Sequence, residues 1–406
     1  MFDGYLELDG VELINSERTA KYVNAFMPSL DIAGCADCEG IWNSFNDPVY
    51  ASPAADNAPW YRATQPETAK FYGLYPATVQ GFEDSTRSLT ITELSGDGAV
   101  QSMPRHGSRE VRVRGVMIAL DEEGMNAGMA WLRSVLDSNP CGPEEDCTGR
   151  TLVYFTQCPG AATVAAGSAL RTKYERRFLR TEPLEGPRVV REFRRLQVGV
   201  MKEVEFLLNV GIPWSFTLPT AAASTSGETS QLAAEVYCPL ATDAYDDLVV
   251  DPDGMLIARP PKPPLVEPVE MPSTWQRYTM TIPASMGERW GRIVPIVSVI
   301  TGGTAARMLR VRFYRDANID QCDFEGEFLV SYVPPNSIMQ IDGMQRRIVV
   351  DNGVEKKPGG HLVTGSNGRP MRWPALACTS AYDIIVDTVS GMPSGVSVIT
   401  DIAVRE

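Results

Sequence analysis

Histidine is almost missing from this sequence: His106 and His361 are all that its 406 residues contain. A hydrolytic triad would need one of them as its base. Both stand in loop-like stretches, Pro104-Arg105-His106-Gly107 and Gly359-Gly360-His361, and no Gly-x-Ser-x-Gly elbow precedes a helix. A glycine-rich loop with the lysine needed to cradle a phosphate is also lacking. Asp246, Asp247, Asp251 and Asp253 form a candidate carboxylate cluster for a glycosidase, but acidic residues so close together in a proline-bounded loop are ordinary turn formers. The reading is therefore of a protein that is not an enzyme. No run of eighteen apolar residues exists, which excludes a membrane-spanning helix, and the opening MFDGYLELDG is acidic where a secretory signal would be basic and then apolar. Synthesis and folding in a cytoplasm are expected. Positive charge is in deficit, 37 basic against 51 acidic side chains for a net charge of −14, so the phosphate-neutralising surface of a nucleic-acid binder is not expected.

What is present points to strands. Hydrophobic residues make up 44% of the chain, enough for two or three cores, and the 30 prolines and 34 glycines are dispersed as turns between many short strands. The stretch Arg109 to Leu136 holds both periodicities of a folded core. Val111 and Val113 alternate with Arg112 and Arg114, and Val116 to Leu120 runs into the interior. Asp121, Glu122 and Glu123 then offer a cap and negative charge to a helix start, and Met125, Met129, Leu132 and Leu136 recur at helical spacing, with Trp131 and Val135 widening that face. Asn139-Pro140 ends the helix.

Taken in order, Tyr5 to Leu8 and Val11 to Ile14 alternate about Asp9-Gly10, the signature of a hairpin. Pro28 to Pro66 reads as a long structured loop. Alternation returns at Ala77 to Phe82, Ser88 to Leu94, Thr151 to Phe155 and Leu196 to Asn209, while Ala161 to Leu170 fits either helix or loop. Pro252 to Pro272 carries seven prolines and should be extended and semi-rigid. From Trp275 on, eight alternating runs follow: Tyr278 to Ile282, Ile293 to Ile300, Met308 to Tyr314, Glu327 to Val333, Ser337 to Ile341, Arg347 to Val350, Tyr382 to Val386 and Val396 to Val404. They read as a β-sandwich. The expected organisation is an N-terminal domain over 1–220 with the loop 28–66 inserted, a proline-rich connector over 221–272, and a sandwich over 273–406.

Two residue classes offer sites. Five cysteines fall in the first domain, Cys35, Cys38, Cys141, Cys147 and Cys158, and Gly34-Cys35-Ala36-Asp37-Cys38 resembles a zinc knuckle. With so little histidine, a structural zinc would need Cys35 and Cys38 with two further thiolates, such as Cys147 and Cys158 or Cys141 and Cys147; disulfides and reduced buried thiols are the competing readings, and no cofactor is otherwise expected. Cys238, Cys322 and Cys378 look like core. Between Arg171 and Lys202 ten basic residues stand against four acidic ones, a local charge of +6 in an acidic chain. A solvated face is one reading of this segment. The other is a docking surface for an acidic neighbour, including another copy of the chain.

The residues also carry a resemblance. Phe2-Asp3-Gly4-Tyr5, Leu8-Asp9-Gly10-Val11-Glu12-Leu13-Ile14-Asn15 with Arg18-Thr19, Ala58-Pro59-Trp60-Tyr61, the Trp131-Leu132 helix, and Val330-Ser331-Tyr332 before Ile341-Asp342-Gly343 resemble minor tail proteins of actinobacterial siphophages. The architecture is similar to that of distal tail proteins. The resemblance implies a belt domain, a split β-barrel with one covering helix, followed by a galectin-like sandwich. It further implies a virion tail-tip adaptor that closes into a ring, six-fold by expectation, between the tail tube protein and the tail hub or other minor tail proteins. Ring closure needs two complementary patches on one subunit, and Arg188, Arg191, Arg194 and Arg195 are the expected half of one interface. The alternative is a carbohydrate-binding adhesin whose sandwich presents Trp275, Trp290 and Trp373 to host cell-wall glycans, although each adjoins an apolar or proline-rich run that favours burial.

Overall fold

Tyr5–Leu8 and Val11–Asn15 pair as the expected hairpin. Asp9 and Gly10 have φ of 52° and 80°, the backbone twist that a two-residue hairpin turn requires. Asn15 then caps a helix, Ser16–Phe26, by accepting a hydrogen bond from the Arg18 amide at 3.0 Å. The sequence reading has no helix there. Its buried face is largely polar, Ser16, Glu17, Arg18 and Thr19 with Ala20, Tyr22 and Val23, so no apolar period announces it. These coordinates are a computed structural model, which describes residues 4–28, 30, 40–84, 87–95, 97–102, 105–137, 149–158, 167–195, 199–226, 228, 230–234, 248–250, 256–258, 274–284, 291–315, 324–365, 370–389 and 391–406.

The chain divides into two compact units, Met1–Leu218 and Pro219–Glu406. In the first, seven antiparallel strands lie in the order Val11–Asn15, Tyr5–Leu8, Arg150–Phe155, Glu175–Arg195, Gly199–Val210, Arg109–Ala119, Phe71–Gln80. The two outer strands approach each other without a hydrogen-bonded ladder between them, so the sheet curls into a barrel that stays open along one seam. The Glu122–Asp137 helix covers it. Asp121 caps this helix at the Gly124 amide, 2.9 Å, and Met125, Met129, Leu132 and Leu136 are buried. Gly124 and Gly128 let it settle onto Lys70 and Phe71, where any side chain would overlap them. A shorter helix, Gly167–Tyr174, occupies part of the stretch that fitted either helix or loop.

The described part of the long loop is tied to the first helix by polar groups. Glu17 accepts hydrogen bonds from the Ile41 and Trp42 amides at 2.8 and 3.2 Å, and Asp56 accepts from the Tyr22 hydroxyl at 2.7 Å and the Ala51 amide at 2.7 Å. Arg18 pairs with Glu12 at 2.8 Å and lies 4.1 Å from the centre of the Tyr50 ring. Asn15 bridges the same group, donating to Glu12 at 2.8 Å and to the Tyr50 hydroxyl at 3.1 Å. Hairpin, helix and loop thus share one buried network.

After the Phe71–Gln80 strand the chain turns at Gly81, whose φ of 99° suits only glycine, with the Glu110 backbone in the space a Cβ would need. Gly81→Ala is therefore expected to cost roughly 2–3 kcal/mol, from an unfavourable φ combined with overlap that neither strand can relieve. A urea unfolding midpoint within error of the parent would refute this.

The second unit is a sandwich of two antiparallel sheets. One runs Thr220–Ser224, Ser397–Arg405, Arg292–Ile300, Ile338–Asp342, Arg347–Asp351, Lys356–Pro358, with Leu376–Ala377 also on Arg292–Ile300. The other runs Gln231–Ala234, Thr274–Ile282, Tyr382–Thr388, Ala306–Arg315, Phe324–Val333, Val363–Thr364. Val297, Val299, Ile341 and Val398 from the first sheet and Met280, Leu309, Val311, Phe313 and Ile384 from the second form one buried cluster. All eight expected strands are present. Two more come from within or beside the stretch read as connector: Thr220–Ser224 and Gln231–Ala234 are edge strands of the two sheets. Farther along that stretch, Leu248–Val250 and Leu256–Ala258 pair with each other, and 235–247, 251–255 and 259–273 lie outside the described residues.

Candidate assembly surface

The basic segment becomes the longest strand of the molecule, Glu175–Arg195, and its two halves have different fates. From Glu175 to Thr181 it is bonded on one side to Arg150–Phe155 and on the other to the segment after Val210, through the Gly211 and Ile212 amides and an Arg177–Phe216 bridge. Here the basic residues are committed within the chain. Glu175 is fully buried and receives Arg171 at 2.7 Å and Arg177 at 2.8 Å, while the buried Arg176 donates to the Lys173 and Glu175 carbonyls at 3.0 and 3.1 Å. This half is no docking face, and the local charge of +6 overstates what the surface offers.

Beyond Thr181 the strand keeps only one neighbour among the described residues. Its ladder with Gly199–Val210 continues to Arg195, interrupted by irregularities between Pro183 and Glu185, Glu185 and Arg188, and Val189 and Arg191. Such irregularities bend a ribbon and raise its twist. Along the open edge Leu184 is 57% exposed, Val189 43%, Val190 42% and Phe193 39%. Val190 is the extra residue at the last of these irregularities, between Val189 opposite Val204 and Arg191 opposite Glu203. An exposed apolar edge strand is a template for another strand unless something covers it.

The face next to this edge is a ladder of charge. Arg114 donates to Glu203 at 2.6 Å, and Glu205 lies between Arg112 at 3.6 Å and Arg188 at 3.5 Å. Hydrogen bonding to Glu203 holds the Arg114 pKa above its ordinary value. Of the four arginines expected at an interface, Arg188 has 72% of its side chain exposed beside Glu205, and Arg191 is exposed with its guanidinium 5.4 Å from the centre of the Phe193 ring. Arg194 and Arg195 are placed by their backbone, opposite Val200 and Gly199, and their side chains lie outside the described residues. The fold thus puts all four on one open strand. The apolar residues interleaved with them escaped a reading that counted charge; the run Val189-Val190-Arg191-Glu192-Phe193 held the signal, since neither a buried strand nor a solvated face has that composition.

The other expected sites fare differently. Trp275 is fully buried with the Arg310 guanidinium 4.3 Å from its ring centre, so it offers no platform to a sugar. Trp373 is half-buried against the sandwich core, and Trp290 lies outside the described residues. Cys158 is buried beside Tyr5, Ile41, Val153 and Phe155 and is disulfide-bonded. Cys35, Cys38, Cys141 and Cys147 lie outside the described residues, and no metal-binding cluster occurs among those described. Cys378 is in the sandwich core, while Cys238 and Cys322 lie outside the described residues. His106 packs on Trp214 with ring centroids 4.2 Å apart, and His361 stands exposed in the one-turn Gly360–Leu362 helix. The four aspartates at 246, 247, 251 and 253 lie outside the described residues. No helix among the described residues is long and apolar enough to cross a membrane.

No family model and no curated protein matches the chain. The solved structures that resemble it include two phage proteins. One is the SPP1 Dit protein, described as a paradigm of the hub adsorption apparatus in phages infecting Gram-positive bacteria, with a TM-score of 0.38 and 10% identity over 81% of this chain and 92% of that one. The other is a chain of the phage P2 baseplate in its activated conformation with Ca, with a TM-score of 0.35 and 8% identity over 79% of this chain and 90% of that one.

Proposed function

We propose that this protein is a structural component of a phage tail tip, a ring-forming adaptor that joins the tail tube to the baseplate or host-recognition apparatus. The observation that carries the reading is the open edge from Leu184 to Phe193, where apolar and arginine side chains are interleaved on a strand with one neighbour among the described residues. Such an edge fits a second copy of the chain, because a strand added there can extend the sheet while covering four apolar side chains. The motifs shared with minor tail proteins lend independent support. Glu12, Asn15 and Arg18 among them build the network that fixes the hairpin, first helix and long loop as one body. The adhesin reading is the weaker one, since neither described tryptophan of the sandwich stands clear of its core.

Light scattering on the purified full chain, with negative-stain averages of the same peak, is expected to show a closed ring. Phe193→Asp combined with Val190→Lys should yield a folded monomer, since both positions are exposed and surface changes there should leave stability within about 0.5 kcal/mol. Charge reversal at Arg194 and Arg195 should also weaken the ring at physiological salt. A wild-type chain that stays monomeric, or a ring indifferent to these changes, would overturn the assignment.

A further inference from the structure

A concave site unrelated to the open edge lies on the other side of the first unit's covering helix. Its volume is about 640 Å³, within the range of pockets that hold small organic ligands, and it is bounded by the Glu122–Asp137 helix and the segment Trp60 to Thr68. Asn126, Ala127, Ala130, Trp131 and Ser134 line it from one face of the helix, at spacings of three and four residues. The two alanines leave room above the helix, and Trp131 closes one wall.

The Trp131 ring is held in place from behind. Trp60 packs edge-on against it with centroids 5.4 Å apart and is itself fixed by a 2.8 Å hydrogen bond from its indole nitrogen to the Phe71 carbonyl. Trp131 stays partly exposed on the groove side. Around it stand Gln65, Glu67, Asn126 and Ser134, and none of these four side chains has a hydrogen bond or ion pair within the chain among the described residues. A fixed aromatic face is thus ringed by two amides, a carboxylate and a hydroxyl with their bonding capacity unspent.

That combination selects among ligands. An apolar peptide would strand four polar groups against a dry surface, at a cost for each one left unpaired. Nucleic acid or an anionic headgroup would meet Glu67 and Glu123, and a polycation would meet Arg62. A neutral pyranose has what the groove lacks: an apolar C–H face to lie on an indole, and equatorial hydroxyls that both donate and accept at the ring's edge. We propose that this groove is a saccharide-binding site for a neutral or N-acetylated oligosaccharide. It lies in the first unit and uses none of the residues of the open edge.

The test uses the full chain on an array of neutral and N-acetylated oligosaccharides, followed by titration of the strongest hit with intrinsic tryptophan fluorescence. A shift in Trp emission on saturation is expected. Asn126→Ala and Glu67→Gln, both solvent-facing and without partners to lose, should weaken binding about tenfold with the melting temperature unchanged, and Trp131→Ala should abolish it. No saccharide bound at millimolar concentration would overturn the proposal. So would binding that survives Asn126→Ala and Glu67→Gln but disappears with Trp373→Ala, which would move the site to the sandwich. Ring assembly, read separately by light scattering, should be unchanged in the groove variants.

Discussion

Arg18→Met should destabilise the first unit by about 3–5 kcal/mol, the cost of leaving a buried charge without its partner. Arg18 is only 6% exposed, and its guanidinium is the cation facing the Glu12 carboxylate at 2.8 Å. Burial acts against the Arg18 charge, but Glu12 and the phenol oxygens of Tyr50 and Tyr22 more than compensate and raise its pKa above the ordinary value. Glu12 is worse placed: burial lifts its pKa above 4.5 even with Arg18 and Asn15 working in the other direction. A carboxyl raised in this way binds its proton more readily folded than unfolded. Its contribution is therefore most favourable below the unfolded value and declines as pH rises through the folded one. Without Arg18 the folded value rises further, so the variant's deficit should be largest at neutral pH and shrink on acidification. Glu12→Gln combined with Arg18→Met should recover most of the loss, because no charge then remains buried. Urea unfolding of the parent, the single variant and the double variant at several pH values separates the cases. A single variant whose loss is flat with pH, and equal to that of the double, would mean that only packing had been removed.

That network also shows where a sequence stops being legible. Arg109 to Leu136 was readable as strand, cap and helix because every signal was local: alternation at Val111 and Val113, the Asp121 cap, a helical period of methionine and leucine. The eight strands of the sandwich were readable for the same reason. The Ser16–Phe26 helix was not, since it buries Glu17 and Arg18 for what they bond: amides 24 and 25 residues away for Glu17, and a carboxylate on the preceding strand for Arg18. Strand order was likewise out of reach, with Arg150–Phe155 beside Tyr5–Leu8 through a pairing that spans most of the first unit. The candidate surface was half legible. Arginines marked the strand, but whether each is committed or available depends on buried Glu175 at one end and on the open edge at the other. Trp131 read as core on its helical period, and it is core on one side only; the loop that turns its other side into a groove comes from sixty-odd residues earlier.

The second unit contains a charge cluster whose failure should be as large, although its carboxyl is shifted in the opposite direction. Asp387 has no exposed surface and sits between two guanidiniums: Arg277 donates to both of its oxygens, at 2.8 and 3.1 Å, and Arg310 donates from two nitrogens to one of them, at 3.2 and 2.8 Å. Trp275 closes over Arg310, which is itself only 3% exposed. Asp387→Asn keeps the shape and removes the negative charge that both arginines bond, so a loss of about 3–5 kcal/mol is expected. Burial by itself would raise the Asp387 pKa, but the hydrogen bonds and charges of Arg277 and Arg310 outweigh it and hold the carboxyl below 3.8. A depressed folded value means stability that is complete above the unfolded pKa and is lost as pH falls below it toward the folded one. The parent should therefore lose part of its stability in that acid window, and Asp387→Asn, having lost the same contribution at every pH, should show a shallower decline there. The two arginines should not be equivalent. Arg277 keeps 14% of its side chain exposed and can be rehydrated, whereas Arg310 is walled in by Trp275, so Arg310→Met should be the better tolerated once Asp387→Asn is already present: it removes the cation that has no water to turn to. Equal and additive losses from the three single variants would contradict that coupling and reduce the cluster to three independent contacts.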